Sequence, residues 1–271
     1  MGTMTIEEIR TRFRQLHRAG EPLVMPNAWD AGSAKLFASL GFAAIATTSS
    51  GFAATLGQPN DNVSAGEALA HTAALAAATP LPVNADLEDC FADDPAGVAA
   101  TIEAAAAAGA AGASVEDFRR DPERPIHDLG LATDRVAAAA EAARASGLVL
   151  TARAENLLHG IRDLEDTIRR LQAYQEAGAD VLYAPGLFTV EDVRAVVRSV
   201  DRPVNVLLLG GGPDVAALAG AGVARISIGG ALAWVAWGAV AQAAGDLLAS
   251  GTAGYADLAR AGSKAARAAF T

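Results

Sequence analysis

Eight short apolar runs recur along the chain, each followed by sequence of helical pattern, and this alternation limits the possible folds more than any other feature. The runs are "PLVMPNA" (22–28), "AAIATTSS" (43–50), "PLPVNADL" (80–87), "GASVED" (112–117), "LVLTARAEN" (148–156), "VLYAPGL" (181–187), "PVNVLLLG" (203–210) and "RISIGG" (225–230). Between them, stretches such as "SAGEALAHTAALAAAT" and "DPAGVAATIEAAAAAG" place apolar residues at three- and four-residue steps, the period of a helix. Ser64 followed by Glu67 makes a capping box, and Asp94 precedes Pro95 at a first helical position. "LGFAAIATT", "AGAAGASVE", "AGADVLYAP" and "AGVARISIG" share one outline, a helix end closed by glycine and then a buried strand. Repeated αβ units of this kind build a parallel sheet, and eight of them fit a closed (β/α)8 TIM barrel. An open doubly wound sheet is the alternative, but "PNAWDAGSAK" after the first strand lacks the G-x-G-x-x-G turn usual there. At 271 residues and 52% hydrophobic side chains, the chain can bury the core of one such barrel. We therefore expect a single barrel domain over 1–271, with 231–271 as a C-terminal helical segment. One helix there exceeds barrel closure and suits packing on another subunit.

Several function classes fall away. A net charge of -10 with no basic stripe argues against a nucleic-acid partner. The apolar stretches are interrupted by charges, so none reads as a membrane span. The amino-terminal "MGTMTIEEIRTRFRQLHRAG" reads as an amphipathic helix rather than a signal peptide. A single cysteine, Cys90, leaves neither an internal disulfide nor a thiolate metal cage. The expected location is the cytoplasm. Lys35 and Lys264 are the only lysines and neither ends a strand, which disfavours a Schiff-base mechanism.

Active sites of (β/α)8 barrels lie at the carboxyl ends of the strands. Those ends carry Asn27, Trp29 and Asp30; Thr47, Thr48, Ser49 and Ser50; Asn84, Asp86, Glu88 and Asp89; Glu116 and Asp117; Arg153, Glu155 and Asn156; then Tyr183, Asn205 and Ser227. The amino ends are plain. Acids from the third and fourth runs with an arginine from the fifth suggest a hard cation and an anionic substrate. Mg2+ (or Mn2+) takes oxygen ligands and keeps waters, so Asp86, Glu88 and Glu116 suffice to hold it. Arg153 suits the forked recognition of a carboxylate or phosphonate, and the Thr-Ser-Ser run offers hydroxyls and N–H groups to a second anionic end. This set suits a small 2-oxo acid whose enolate a Lewis acid stabilises.

Each residue also has a plainer reading. Glu88 and Asp89 suit a solvated loop, Asp117 a turn cap, and Arg153 an ion pair with Glu155 or Glu116. Cys90 reads as a small buried hydrophobe, and Trp234 and Trp237 as helix packing. The four histidines show no metal-ligand spacing, and His159 alone falls near the functional face. Glycine clusters after the seventh and eighth runs, around Gly211 and Gly229, would suit a phosphate.

"PVNADLED", "GASVED", "TARAEN", "LYAPGL" and "PVNVLLLGGGPDVAALAGAGVARISIGGAL", in that order and spacing, resemble the isocitrate lyase/phosphoenolpyruvate mutase superfamily, in particular its carboxyvinyl-carboxyphosphonate phosphorylmutase-like branch. The resemblance runs from about Phe13 to about Leu248. It implies a (β/α)8 barrel, Mg2+, making or breaking of C–C or P–C bonds in 2-oxo acids through an enolate, and homodimers or homotetramers that exchange a C-terminal helix. Carried over by position, Asp86 is the metal-associated aspartate and Glu116 the glutamate of "LED". Arg153 binds substrate, Thr48 and Ser49 hold its carboxylate, and Trp29 lies over it. Asn205 is a further substrate-binding candidate.

The departures cluster around the same site. Asn84 replaces the first aspartate of "DAD". The catalytic-site aspartate of "LG-x-P-D" reads Asn60, with Asp61 one residue late. Cys90-Phe91-Ala92 stands where glycine-tyrosine-glycine is usual, and the lid cysteine of isocitrate and methylisocitrate lyases is absent. The reading that follows is an Mg2+-dependent lyase that cleaves a C–C bond in, or decarboxylates, a small 2-oxo acid, with Arg153, Glu116, Asp61 and Asn60 as catalytic candidates. The alternatives are a diverged 2-oxo acid-binding member without turnover, or a P–C hydrolase or mutase.

Overall fold

The computed structural model describes residues 4–270. Among them, nine parallel strands form one sheet: β1 (Leu23–Met25), β2 (Asn27–Ala28), β3 (Ile45–Thr47), β4 (Val83–Asp86), β5 (Gly112–Glu116), β6 (Val149–Arg153), β7 (Val181–Tyr183), β8 (Val204–Leu207) and β9 (Arg225–Ser227). All eight expected runs are strands. The ninth arises because Pro26 splits the first run. Proline cannot donate to a sheet ladder; its carbonyl still accepts from the Ala46 N–H at 2.9 Å. β1 pairs with β9 and β2 with β3, so the two halves of that run join the ends of the sheet. The result is a nearly closed α/β barrel of TIM type, ringed by helices.

Helices start where the caps were expected. Ser64 and Glu67 close a capping box on Ala65–Ala78, and Asp94 caps Pro95–Ala107. The helix Ile6–Gln15 seals the amino-terminal end of the barrel. Its Arg10 donates to the carbonyls of Ala106, Ala110 and Ser146 at 2.7–3.0 Å, and Phe13 packs fully buried among Leu23, Met25, Val149 and Val181. Gly112 makes that insertion possible, since a Cβ there would come within 2.6 Å of the Phe13 ring.

His17 follows the same helix into the barrel base. Its Nδ1–H donates to the Phe13 carbonyl at 2.9 Å, and Nε2 accepts from Arg225 at 3.2 Å. That arrangement needs a neutral ring, and burial, reinforced by Arg225, lowers its pKa from 6.5 to about 3. The unfolded chain therefore takes up a proton near pH 6.5 that the folded chain refuses until about pH 3. Stability held above that window falls through it, by roughly 3 kcal/mol between pH 7 and pH 4. Urea unfolding at the two pH values should show this loss in the wild type and a smaller one in His17→Gln.

The long helix Ala231–Ser250 lies outside the barrel. Its length and mean hydropathy of 1.3 meet the minimum for a membrane span by length and composition only, since Asp246 alone interrupts it. One apolar helix of this kind is not a membrane signal. Trp234 and Trp237, read as packing residues, are 50% and 49% exposed in the single chain, with Val235, Val240 and Leu248 beside them. The last helix, Ala256–Ala269, folds back against Ala31–Ser39.

Candidate active site

Along each strand, side chains alternate between the barrel interior and the helix layer. β5 thus turns Ser114 and Glu116 inward, and β4 and β6 do the same for Asp86 and Arg153. These strands are in register, Asp86 beside Ser114 and Glu116 beside Arg153. The inward residues line a cavity of about 330 Å3 at the carboxyl ends of the strands.

Arg153 is the centre of that cavity. Its Nη1 lies 3.0 Å from Asp86 Oδ1 and 2.8 Å from Glu116 Oε1, and its Nε donates to Glu155 Oε1 at 2.8 Å. The guanidinium also stands 4.8 Å from the centre of the Tyr183 ring, at cation–π distance. Asp86 is oriented from its other side, where Ser49 donates both its N–H (3.2 Å) and its hydroxyl (3.1 Å) to Oδ2. Burial opposes the charge on Arg153, but Glu116, Glu155 and Asp86 outweigh it and hold its pKa well above the ordinary value. Burial raises the pKa of Glu116, with Arg153 pulling the other way and Glu155 and Asp86 adding to the rise.

One guanidinium thus faces three carboxylates. The acidic donors of the cluster are all oxygen, the chemistry a hard divalent cation needs. Asp86 and Glu116 each bring an oxygen to the same nitrogen of Arg153, so both reach one point. Glu88, the third acid expected with them, has a cation of its own. Among the described residues no group of three or more His, Cys, Asp or Glu side chains is arranged to hold a metal. Glu88 is drawn to Arg120, which meets it at 3.1 Å and Asp89 at 3.1 Å, because a buried carboxylate costs several kcal/mol unless a cation compensates it. Neither acid is a solvated loop residue: Glu88 is 5% and Asp89 8% exposed.

The loop that carries these acids is held under strain. Glu88, Cys90 and Phe91 have φ of 51°, 59° and 54°, a region costly for side chains other than glycine. Arg135 from the helix Leu129–Ser146 pins the turn by donating to the carbonyls of Asp89 (2.8 Å) and Ala92, and Thr101 donates to Cys90 O at 2.8 Å. Cys90 is fully buried, and burial pushes its thiol pKa up, which suits packing and not nucleophilic chemistry.

The phosphoenolpyruvate phosphomutase family model matches residues 13–248, nearly the whole chain. The chain belongs to this family. It lies within the isocitrate lyase/phosphoenolpyruvate mutase superfamily, as the motifs suggested. A Burkholderia cenocepacia J2315 protein classed provisionally as a lyase/mutase superposes with a TM-score of 0.88 at 50% identity, over 91% of this chain and 90% of the other. The 2-methylisocitrate lyase of Salmonella typhimurium is 28% identical over 220 residues, 78% of this chain and 74% of its own. An oxaloacetate acetylhydrolase in complex with its product oxalate has a TM-score of 0.83 at 26% identity, covering 92% and 89%.

Against this family pattern, several residues stand where sequence placed them and others do not. Asn60 lines the cavity with its Oδ1 buried and unpaired. The side chain of Asp61 lies outside the described residues. Asn84 also lines the cavity, its Oδ1 buried without a partner where the family pattern has an acid. Thr48 caps the helix Ser49–Thr55 through Gly51, and the Ser49 N–H expected to hold a substrate carboxylate is engaged by Asp86. Asn205 faces the cavity, but its amide is committed at both ends, donating to Ser227 Oγ (3.0 Å) and accepting from Arg225 Nε (2.9 Å). Trp29 stands apart, its ring edge-on to Phe37 and beside His71 and Phe52 in a separate groove. Trp29 follows β2 into the packing of Ala31–Ser39. Asp117 is not a turn cap. It is 3% exposed and accepts from Tyr174 Oη, Arg170 Nη1 and the Glu155 N–H.

Sequence reasoning gave no role to Arg120, Arg135 and Arg225. Arg120 sits in the charged run "FRRDPERP", where nothing local separates a structural arginine from a solvated one. Arg225 opens its strand, and its inward direction could have been read from alternation with Ser227. It is 2% exposed, and burial lowers its pKa to about 9.

Proposed function

We propose that this protein is a lyase that breaks a C–C bond in a small 2-oxo acid, by cleavage or decarboxylation, through an enolate. The observation that carries the reading is the Arg153 guanidinium among Asp86, Glu116 and Glu155 in the cavity at the carboxyl ends of the strands. Named relatives that act on organic acids, a 2-methylisocitrate lyase and an oxaloacetate acetylhydrolase, support it. Arg153 binds the negative end of the substrate, and Tyr183 beneath it keeps the guanidinium plane in place. Ser49 and Ser114 fix Asp86. Asp86 and Glu116 would hold Mg2+ or Mn2+, which as a Lewis acid supplies stabilisation of enolate charge. The apolar face of Ala231–Ser250 is the surface through which a homodimer or homotetramer would assemble.

The test is release of pyruvate or another fragment from oxaloacetate and related 2-oxo diacids, with metal removed by chelation and then restored. Turnover lost on chelation and regained with Mg2+ or Mn2+ is the expected result. No fragment from any substrate of a broad panel, with metal present, overturns the reading. The unpaired amide oxygens of Asn60 and Asn84 favour one second reading, a protein that binds a 2-oxo acid without converting it. Calorimetric binding without product would select it.

A further inference from the structure

An enolate left by C–C cleavage must be protonated on carbon, and the cavity offers few groups for this. Asp86, Glu116 and Glu155 are tied to Arg153, and Glu88 to Arg120. Burial pushes the Tyr183 hydroxyl up to about 12. Of the four histidines, His17 lies at the barrel base, His71 stacks on Phe52 in the separate groove, and His127 is buried beside Arg170. Only His159 lines the cavity.

The position of His159 is fixed by its backbone and its ring. Its N–H donates to the Glu155 carbonyl at 3.1 Å, two residues beyond Arg153 on the same chain segment. The turn closes through Ile161 N–H to Asn156 O at 2.9 Å, and the Asn156 amide donates to Thr167 Oγ1 at 2.8 Å. The imidazole stacks on Phe118, 4.5 Å between centroids and 12° from parallel, and Phe118 is bridged to Ile126 across its loop. The ring thus spans the loops that follow β5 and β6, at the mouth of the cavity. It is exposed there, so it can recover a proton from water. An imidazole side chain ordinarily changes charge between pH 5 and pH 8.

We propose that His159 is the proton donor of this site, a role that rests on the lyase reading above. The pair of electrons from the broken C–C bond stays with the 2-oxo acid fragment as its enolate, and the other fragment leaves as carbon dioxide or a carbonyl compound. The His159 imidazolium gives its N–H proton to the enolate carbon, the carbonyl re-forms, and the neutral ring is reprotonated by solvent. The charged groups that line the cavity together with His159 are Asp86, Glu88, Glu116, Glu155, Arg153 and Arg225, and Arg119 and Arg120 follow Phe118 on its loop.

His159→Asn and His159→Gln test the role through exchange of the methyl protons of pyruvate in deuterated water, followed by proton NMR, and through the pH profile of oxaloacetate turnover. Oxalate binding by calorimetry serves as the control for folding and binding. The expected result is unchanged oxalate affinity, exchange and turnover slowed about a hundredfold or more, loss of the alkaline limb of the wild-type profile, and partial rescue by added imidazole. Rates within about threefold of wild type with an unaltered profile overturn the assignment and leave the lyase reading standing. Loss of oxalate binding in both variants overturns it too, by making His159 a binding group. A wild-type protein that neither exchanges pyruvate nor cleaves any 2-oxo acid overturns the lyase reading itself, and the assignment with it.

Discussion

Arg153→Met abolishes turnover and lowers folding stability by about 3–5 kcal/mol, the usual consequence of removing one partner from a buried ion pair. The substitution keeps most of the side-chain volume but leaves Asp86, Glu116 and Glu155 facing one another without their shared cation. Glu116 already has a raised pKa. A carboxyl whose folded pKa is raised favours the native state while protonated, and that stability is lost as pH rises through the folded pKa. Without Arg153 the rise grows, so the variant should regain stability relative to wild type as pH falls from about 7 towards 5. Urea unfolding at several pH values reads the sign directly. Arg153→Lys separates charge from geometry: a single ammonium cannot reach Glu155 through one nitrogen and Asp86 with Glu116 through another. It should recover part of the stability and little of the turnover. A wild-type-like stability for Arg153→Met would mean that the three acids are not held by this guanidinium.

Asp117→Ala is expected to cost a similar amount, about 3–5 kcal/mol, without removing any cavity-lining group. Its carboxylate accepts from Tyr174 Oη at 2.6 Å, Arg170 Nη1 at 3.1 Å and the Glu155 N–H at 2.8 Å. Alanine leaves a buried phenol and a buried N–H with no acceptor, each carrying its own desolvation penalty, and takes one of two carboxylates from the buried Arg170, which keeps Asp166 and the His127 carbonyl. The network ties the end of β5 to β6 and to the helix Leu164–Glu176, so its loss loosens the segment that carries Glu155. Thermal unfolding should shift down by on the order of 5–10 °C. Asp117→Asn tests the charge: it keeps the shape but turns an NH2 group towards donors, and should fall between the two. A shift of a degree or less for Asp117→Ala would show that water satisfies the three donors.

Much of the architecture was legible because it depends on short-range pattern. Each apolar run, its glycine-closed helix end and caps such as Ser64–Glu67 involve residues a few positions apart, and strand alternation decided that Asp86, Glu116 and Arg153 turn inward together. The split at Pro26 was equally local, since a residue without an N–H interrupts any ladder. The metal set was less legible. Glu88 shares an acidic run with Asp86, yet its φ of 51° and the approach of Arg120 send it elsewhere. The packing of Trp29 was hidden for a related reason: its place in a motif says nothing of the side on which its ring packs.

By itself, the sequence determined a barrel of eight parallel runs, which strand ends are polar, and that acids from β4 and β5 share a mouth with an arginine from β6. The tertiary structure alone decided which cation each acid received. Asp86 and Arg153 are 67 positions apart, Tyr174 and Asp117 57, and Arg225 and Thr151 74. A buried charge takes whichever partner the closed barrel brings within about 3 Å, and at that range the desolvation penalty enforces the choice. No pattern along the chain encodes such distances; they exist only once the strands have closed around the cavity.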